Sequence, residues 1–291
     1  MRLHPVRTIS RAGLLSMIML GSILGFTQST VQAQQTQTPL ATTEDTSQIY
    51  TVQFVEQDDT LNVRSGPGVG YPVIETLANG SQVQATGAAE PVGASLWLPI
   101  QTLYDPTIQG WVNRRYLARQ IDPAVFCADE AVMELVETVR EAVRTEDGDL
   151  LAQTILPSRG LYLGNLYWGD NVLLSEDEVR NFFSDTAIRD WGANMNTDQP
   201  ITGSIDDLIL PTMVSDLLPE NVSIACYDNQ DGLMEQGVYY AGTGLDALPF
   251  YSVMRPGTPG IEMDWGAWAL GIDDWEGTPV LAYLSHYFWT P

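Results

Sequence analysis

Acidic and aromatic residues gather near the end of the chain, and this combination suits chemistry on sugars. The acids are Glu262, Asp264, Asp273, Asp274 and Glu276, and the aromatic residues are Trp265, Trp268 and Trp275. Most glycosidases place two carboxyl groups on either side of the bond that they cleave. Asp273, Asp274 and Glu276 fall in a predicted turn, where solvated acids are common. Asp264 is of more interest, because it precedes Trp265 on a predicted strand and is expected to be partly buried.

A histidine is the second catalytic candidate. The chain has two histidines, His4 and His286, and His4 lies in a predicted export signal. On its strand, His286 either pairs with Asp264 as a general acid or base, or is a structural residue. The chain has no Gly-x-Ser-x-Gly motif, which argues against a serine hydrolase of the α/β type. Asp264 and His286 are therefore the catalytic candidates, although the sequence favours a binding protein over an enzyme.

No metal site and no cofactor are predicted. Residues 228–232, Asp-Asn-Gln-Asp-Gly, resemble the start of a calcium loop, but Tyr239 stands where such a loop carries its last acid. A turn is the better interpretation of this segment.

Short alternating segments after residue 60 predict a small β-barrel. Leu61 and Val63 alternate with polar residues, and Ser65-Gly66-Pro67-Gly68 then forms a tight turn. The other predicted strands are 73–77, 81–85, 97–100 and 111–112. Several short strands at this spacing are typical of a barrel or sandwich.

These segments resemble the bacterial SH3 domain, a small barrel with which exported bacterial proteins hold cell-wall material or peptides. The resemblance is carried by 61–68, by Trp97-Leu98-Pro99-Ile100 and by 110–117. It implies a ligand groove between loops and aromatic residues. The binding candidates that it implies are Tyr71, Trp97, Trp111, Asn113 and Arg114. Trp97 and Trp111 also suit the barrel core.

The N-terminus has the pattern of a secretory signal peptide over residues 1–33. Three arginines precede an apolar run from 12 to 26, and Val31 and Ala33 are small residues that suit cleavage after Ala33. A retained anchor helix is the alternative, although the apolar run is short for a membrane span. Residues 34–48, rich in Gln and Thr, predict a flexible tether. We expect a secreted or periplasmic protein with no stable membrane anchor after cleavage.

The charge of the chain is distributed unevenly. There are 13 arginines, no lysine and 37 acids. Residues 49–120 hold four arginines and six acids, whereas residues 121–291 hold six arginines and 29 acids. Nucleic-acid binding requires basic groups that displace counterions, so the composition argues against a nucleic-acid partner. The acidic domain is expected to support solubility or to interact with another protein.

The chain has two cysteines, Cys127 and Cys226. In an oxidising compartment, such a pair predicts a structural disulfide. Thiol catalysis would need His286 as the base, but two cysteines with one histidine more often indicate a disulfide.

Residues 121–291 predict an α+β domain, in which helices pack on an antiparallel sheet. Apolar residues at helical spacing predict a helix at 129–146, and Ser175 to Glu178 form a capping box that begins a second. Asp185 to Trp191 is expected to continue this second helix. A long hairpin is predicted from strands at 261–272 and 279–289 and a turn at 273–278.

The same domain resembles a family of uncharacterised exported bacterial domains. The matching pieces are 156–160, 174–179, Trp191-Gly192, Asp264-Trp265 and 286–290. Because no activity is known for that family, the resemblance assigns no catalytic residue. A resemblance to the nuclear-transport-factor-like cone fold rests on the curved sheet with helices.

The whole sequence predicts an all-β SH3-like barrel followed by an α+β domain, in an exported bacterial protein. The barrel is expected to bind peptidoglycan or cell-wall peptide, and the acidic domain to act as an interaction domain. The alternative is a cell-wall hydrolase, a glycosidase or peptidase, with an unrecognised catalytic domain. In a third interpretation, the barrel packs against its own acidic partner domain.

Overall fold

The computed structural model describes residues 48–56, 58–165, 171–194, 197–226, 248–261 and 263–288. Within these ranges, no helix combines the length and the apolar character needed to cross a membrane. The predicted signal peptide, nearly all of the predicted tether and the calcium-like segment lie outside the described residues.

Eight described strands form the N-terminal part. They are β1 (Ile49–Val52), β2 (Leu61–Arg64), β3 (Val73–Leu77), β4 (Gln82–Ala85), β5 (Glu90–Val92), β6 (Ser95–Thr102), β7 (Gln109–Asn113) and β8 (Leu117–Arg119), with a 3₁₀ helix at Arg114–Tyr116. The strand order is β3-β2-β7-β6-β4-β1-β8, and β5 pairs with β6. No pairing between described residues joins β3 to β8. Among the described residues, the strands form one antiparallel sheet with β3 and β8 at its two ends.

The predicted strands of this part are confirmed, and their alternation explains why they form. Leu61 and Val63 are buried, while Asn62 between them is exposed. The buried residues form one cluster, which consists of Tyr50, Val52, Leu61, Val63, Leu77, Val83, Ala85, Leu98, Ile100, Val112 and Leu117. In the turn after β2, a Cβ at Gly66 would lie 2.4 Å from the ring of Tyr71. Only glycine therefore lets the Tyr71 ring lie against this turn.

The C-terminal part mixes helices and strands. The described helices are α1 (Pro123–Cys127), α2 (Glu130–Thr145), α3 (Gly148–Ala152), α4 (Glu176–Arg180), α5 (Ile205–Leu208) and α6 (Leu210–Leu217). The described strands are β9 (Leu161–Asn165), β10 (Val172–Leu174), β11 (Arg189–Ala193), β12 (Pro200–Gly203), β13 (Ser223–Cys226), β14 (Phe250–Arg255), β15 (Gly266–Trp275) and β16 (Thr278–Phe288). Helices and paired strands in this region agree with the predicted α+β class.

The helix predictions are confirmed at the starts of the helices and are wrong further along. Helix α2 follows the predicted apolar stripe, and the capping box of Ser175 and Glu178 opens α4. Helix α4 ends at Arg180, however, and the expected continuation to Trp191 is wrong, because this stretch reaches β11, which pairs with β12. Trp191 is fully buried, and its indole N–H donates to the carbonyl of Gly203 at 3.0 Å. These tertiary contacts outweigh the local helical pattern.

The main sheet of the C-terminal part has the order β10-β9-β16-β15-β14-β13. The pair of β9 with β16 is parallel, and the other pairs are antiparallel. The predicted hairpin is present, but its turn is only Glu276-Gly277, with φ angles of 53° and 85°. Asp273 and Asp274 therefore belong to β15, and the predicted acidic turn at 273–278 is wrong.

The faces of β16 exchange at a bulge. Gly271 pairs with Tyr283 and Ile272 with Leu281, so Ala282 has no partner across the hairpin. As a result, Leu281 packs in the core under the helices, while Ala282 joins the cluster on the opposite face. A strict alternation would have put Ala282 on the face of Leu284.

The six-stranded sheet is covered on both faces. Helices α2 and α6 lie over one face, and the large core there includes Trp268, Leu270 and Leu284. On the other face, Phe54 and Ala118 of the SH3-like part pack in one cluster with residues of the sheet. The sheet residues of this cluster are Trp265, Ala267, Ala269, Ala282, Tyr283 and Tyr287. The SH3-like part and the C-terminal part therefore share a hydrophobic core.

Candidate functional site

A row of side chains on the outer face of β2, β6 and β7 forms the candidate binding surface. Arg64 pairs across the strands with Trp111, and Asn113 pairs with Trp97. Because directly paired residues lie on the same face of a sheet, these side chains stand together. They lie opposite the buried core residues, such as Val63 and Val112.

This face holds a cavity of about 190 Å³, which we call the β6–β7 pocket. It is lined by Val55, Asp59, Thr60, Leu61, Asn62, Arg64, Val69, Trp97, Asn113 and Tyr116. The lining combines aromatic rings with amide, hydroxyl and charged groups. Such a mixture of apolar surface with a few polar groups is typical of ligand sites.

Two hydrogen-bond donors in the β6–β7 pocket are unused by the described residues. Trp97 is only 4% exposed, and its indole N–H makes no hydrogen bond within the described part of the chain. Asn113 caps the 3₁₀ helix, where its Oδ1 accepts from the backbone N–H of Arg115 at 3.1 Å. The amide nitrogen of Asn113 donates to none of the described groups. Both donors are therefore free to meet an acceptor on a ligand.

Arg64 shapes one rim of the pocket. Its Nη1 donates to the carbonyl oxygens of Val69 at 3.1 Å and Tyr71 at 2.8 Å. These bonds fold the 65–71 loop back over the end of β2. Tyr71 lies on this loop with 47% of its surface exposed, so it is available at the rim although it does not line the cavity.

The other binding candidates divide between this surface and the interior. Trp97 and Asn113 line the pocket, and half-buried Trp111 lies beside them on the same face. Arg114 points elsewhere, because it is fully buried between the SH3-like part and the C-terminal part. The binding role implied for Arg114 by the resemblance is corrected accordingly, since its guanidinium has no surface open to a ligand.

Arg114 is held by aromatic rings and carbonyl oxygens. Its guanidinium lies 4.6 Å from the ring centre of Tyr50 and 4.8 Å from that of Trp275. It donates from Nη1 to the carbonyl of Leu117 at 2.6 Å and from Nη2 to the carbonyl of Asp274 at 2.7 Å. Arg114 therefore ties the SH3-like part to β15 and has a structural role.

Arg159 completes the charged cluster between the two parts. Its Nη2 donates to Oδ2 of Asp273 at 2.9 Å, and its guanidinium lies 3.8 Å from the ring centre of Phe54. Burial lowers the pKa of Arg159, and the carboxylate of Asp273 opposes that effect. Asp273 is 1% exposed, so the expectation of a solvated acid at this position is wrong.

The catalytic candidates do not meet. Asp264 is exposed and accepts hydrogen bonds from the backbone N–H and the hydroxyl of Thr258, each at 2.6 Å. These bonds lower the pKa of Asp264, and its expected partial burial is wrong. His286 pairs instead with Asp216, whose Oδ2 lies 2.8 Å from the imidazole Nε2. No sequence signal links these two residues, which stand 70 positions apart.

His286 belongs to a buried polar cluster. It is 4% exposed and stacks on Trp268 and Phe288, with ring centres 4.8 and 5.2 Å apart. Burial lowers the pKa of His286, and the hydrogen bond with Asp216 opposes that effect. Asp216 also accepts from Nε of Arg255 at 2.7 Å. This arrangement keeps His286 away from solvent and so favours a structural role.

Asp216 carries most of the hydrogen bonds in this cluster. Burial acts to raise its pKa, but bonds from His286 and Arg255 outweigh burial and lower it. The hydroxyl of Ser215 also donates to Asp216, at 2.8 Å, so this serine bonds to the acid and not to the imidazole. The hydroxyl-to-imidazole contact of a serine hydrolase is therefore not formed by Ser215.

The predicted disulfide between Cys127 and Cys226 is confirmed. The two Cα atoms lie 5.7 Å apart, and the bond ties the end of α1 to β13. The disulfide therefore links the helical layer to β13, the edge strand of the six-stranded sheet.

Comparison with protein families identifies one region of the chain. Residues 59–118 match the bacterial SH3 domain. Comparisons with curated proteins and with solved structures found no match. The matched region runs from β2 into β8 and includes nearly all of the residues that line the β6–β7 pocket.

Proposed function

We propose that this protein is exported and binds peptidoglycan or a wall-associated peptide through the β6–β7 pocket. One observation carries the proposal: a pocket with unused donors lies within the residues that match the bacterial SH3 domain. Bacterial SH3 domains are commonly modules that bind cell-wall material.

The chemistry of the pocket suits such a ligand. Acetamido groups and peptide bonds of the cell wall present carbonyl oxygens, which accept hydrogen bonds. The indole N–H of Trp97 and the amide of Asn113 are donors for those oxygens. Neither donor is among the buried, unpartnered side-chain atoms of the described residues, so both keep access to solvent and a ligand oxygen can replace water as their acceptor.

Export is supported by independent features. Residues 1–33 have the pattern of a secretory signal peptide with cleavage after Ala33. Residues 34–48 have the composition of a flexible tether. The bond between Cys127 and Cys226 persists in an oxidising compartment, which in bacteria lies outside the cytoplasm. Both features support a secreted or periplasmic location.

The acidic domain, 121–291, is proposed as a binding and supporting domain. Its sheet covers one side of the SH3-like part, 49–120, and shares a core with it. The excess of acids argues against nucleic acid as a partner. The third interpretation of the sequence, in which the barrel packs against its own acidic partner, is supported by the contacts of Arg114 and Ala118.

The test is sedimentation of the protein, from residue 34 onward, with purified peptidoglycan sacculi. The whole chain is required, because Phe54 and Ala118 would be exposed in an isolated SH3-like fragment. Asn62 is an exposed residue that lines the pocket, so Asn62→Trp fills the cavity without entering the core. The wild type is expected to pellet with sacculi, and Asn62→Trp is expected to pellet much less.

Gln82→Trp is the matched control, because Gln82 is an exposed strand residue outside the pocket lining. It is expected to pellet like the wild type. A wild type that stays in solution, or an Asn62→Trp variant that pellets normally, contradicts the proposal. Loss of pelleting in both tryptophan variants points to a general surface effect and also contradicts the pocket assignment.

A further inference from the structure

A second cavity lies beside the β6–β7 pocket, where the SH3-like part meets the C-terminal part. It has a volume of about 570 Å³, and we call it the interdomain groove. Its lining comprises Pro91, Gly93, Ala94, Ser95, Leu96, Asn113, Arg115, Leu156, Pro157, Ser158 and Trp275. Asn113 lines both cavities, so the groove continues the pocket across this residue. The C-terminal part therefore supplies one wall of the groove, and the SH3-like part supplies the other.

The distribution of ion pairs distinguishes the two cavities from the rest of the protein. Of the ten described arginines, eight have a carboxylate oxygen within 4.0 Å. These eight are Arg114, Arg119, Arg140, Arg144, Arg159, Arg180, Arg189 and Arg255. Arg64 and Arg115 have no such partner within the described part of the chain, and each lines one of the two cavities.

This exception stands out against the composition of the chain. The protein carries 37 acids and 13 basic residues, so acids are abundant on its surface. Two arginines in neighbouring cavities therefore carry positive charge without a carboxylate at ion-pairing distance among the described residues, although Asp59 also lines the pocket of Arg64. An anionic ligand group is the chemistry that would complete this arrangement.

Arg115 is held in place by the 3₁₀ helix that begins after Asn113. Its guanidinium lies 4.8 Å from the ring centre of Tyr116, and its backbone carbonyl accepts from Nε of Arg159 at 3.0 Å. Nε of Arg115 is buried and has no hydrogen-bond partner. Nη1 and Nη2 of Arg115 donate to none of the described groups, so the side chain carries donors for a ligand at the groove.

We infer that the interdomain groove binds a short acidic peptide, with Arg115 pairing with a carboxylate and Trp275 and Leu156 packing on the peptide. This inference rests on the proposed function, and it adds the ligand class and the contribution of the C-terminal part. The planar guanidinium matches a carboxylate with two parallel hydrogen bonds. Trp275, Leu156 and Pro157 offer apolar surface for the uncharged parts of a peptide.

The net charge of the protein favours a peptide over a polyanion. At a formal charge of −24, the chain repels an anion in proportion to the charge of that anion. One or two carboxylates beside Arg115 gain from the local pairing, and solvent ions screen the repulsion from acids that lie beyond about 10 Å. A polyphosphate chain carries its repeated charge across the acidic surface and gains only one such pairing.

The probe for this inference is a soluble alanyl-γ-glutamyl stem peptide with free carboxylates, compared with the same peptide fully amidated. Binding is measured by calorimetry on the chain from residue 34 onward. The free acid is expected to bind at least about tenfold more tightly than the amide, as the loss of a charge-assisted hydrogen bond implies. Equal affinities for the two peptides would overturn the inference, as would binding of a soluble polyphosphate in place of the peptide.

Two variants test the residues involved. Arg115→Gln removes the cation and is expected to weaken binding of the free acid about tenfold or more, with little effect on binding of the amide. The control, Arg144→Gln, makes the same change on the exposed face of α2 and is expected to bind normally. Ser158→Trp places a bulky ring at the exposed rim of the groove and is expected to weaken binding of both peptides.

The outcomes separate this inference from the proposed function. In one outcome, Asn62→Trp stops binding sacculi while Arg115→Gln and Ser158→Trp still bind both sacculi and the free-acid peptide. In that case the pocket binds the cell wall and the groove assignment is wrong. If no protein pellets with sacculi but the free acid binds in an Arg115-dependent manner, the wall ligand is wrong and the acidic-peptide site stands. Melting temperatures of all variants identify any loss of binding that is due to unfolding. If Arg115→Gln proves to be unfolded, the binding of both peptides by Ser158→Trp tests the groove assignment in its place.

Discussion

The carboxylate of Asp273 lies 2.9 Å from Nη2 of Arg159, and both side chains are buried where the SH3-like part meets the six-stranded sheet. The other carboxylate oxygen of Asp273 accepts from the backbone N–H of Arg119 in β8 at 3.1 Å. The single carboxylate of Asp273 therefore accepts hydrogen bonds from both the SH3-like part and the C-terminal part. Nη1 of Arg114 lies 3.7 Å from the same carboxylate, and Nε of Arg114 lies 3.4 Å from Oε1 of Glu276. Asp273 is therefore shared by two guanidinium groups, and Arg114 has Glu276 as a second acid.

Asp273→Asn is expected to destabilise the whole protein by about 3–5 kcal/mol, because it removes the counter-charge of buried Arg159 and one of the two carboxylates beside buried Arg114. Urea unfolding followed by circular dichroism measures the effect. Asp149→Asn is the matched control, since Asp149 pairs with Arg180 at the surface, where a lost ion pair has little effect. A change in the free energy of unfolding no larger for Asp273→Asn than for Asp149→Asn would show that the buried pair is not needed.

The SH3-like part and the C-terminal part are expected to unfold together. Phe54 and Ala118 complete a cluster on the C-terminal sheet, and Arg114 bonds to the backbone of Asp274. Separation would expose these apolar groups and leave the buried charges unpaired. Tryptophan fluorescence and far-ultraviolet circular dichroism should therefore give coincident urea transitions. Two separate transitions would contradict a shared core.

Local patterns account for what could be predicted from sequence. Leu61, Asn62 and Val63 alternate within one strand, and the Ser175 and Glu178 side chains satisfy each other's backbone within one helical turn. Such features need no information from distant residues. Trp97 and Asn113 could also be named from short segments, because the SH3 pattern covers both strands that carry them.

Contacts between distant residues account for what could not be predicted. Asp273 and Asp274 look like turn residues in the local sequence, but β15 continues through them because Arg119 and Arg159 use their carboxylates. Arg114 looks like a surface residue until the C-terminal sheet covers it. The partner of His286 could not be predicted either, because Asp216 lies on helix α6, 70 positions earlier in the chain.

The disulfide is expected to contribute to stability through the unfolded state. It joins residues 99 positions apart, and a loop of that length corresponds to about 4–5 kcal/mol on the chain-entropy model. The double variant Cys127→Ser/Cys226→Ser should lose stability of this order in urea unfolding. Labelling of the denatured, unreduced wild type should detect no free thiol, whereas two labelled thiols would contradict the assignment. The reduced wild type should match the double variant, which controls for the serine substitutions.

The buried His286 is expected to make stability fall as the pH falls below about 6.5, the usual pKa of histidine. Its pKa is lowered in the folded protein, mainly by burial, from a usual value of about 6.5. Below that value the unfolded chain takes up a proton on His286 that the folded protein resists. The unfolded state then binds more protons, so the free energy of unfolding falls as the pH falls.

The groups that face His286 support this assignment. Asp216 reaches it from α6, Arg255 of β14 bonds to the same carboxylate, and Trp268 of β15 stacks on the ring. The lowered pKa of Asp216 adds a further loss of stability at more acidic pH, below its own usual range. His286 is the one histidine after residue 33, so no second imidazole titrates in the same window.

His286→Gln tests the origin of this pH dependence. Glutamine can donate to Asp216 but does not titrate, so the stability of the variant should change less as the pH falls below about 6.5. Urea unfolding at several pH values measures the slope for each protein. The absolute stability of the variant is expected to be lower, because the amide loses the stacking on Trp268 and Phe288. The titration of His286 is therefore judged only from the slope of the unfolding free energy against pH. An unchanged slope in His286→Gln would assign the pH dependence to other groups and contradict the role of the buried imidazole.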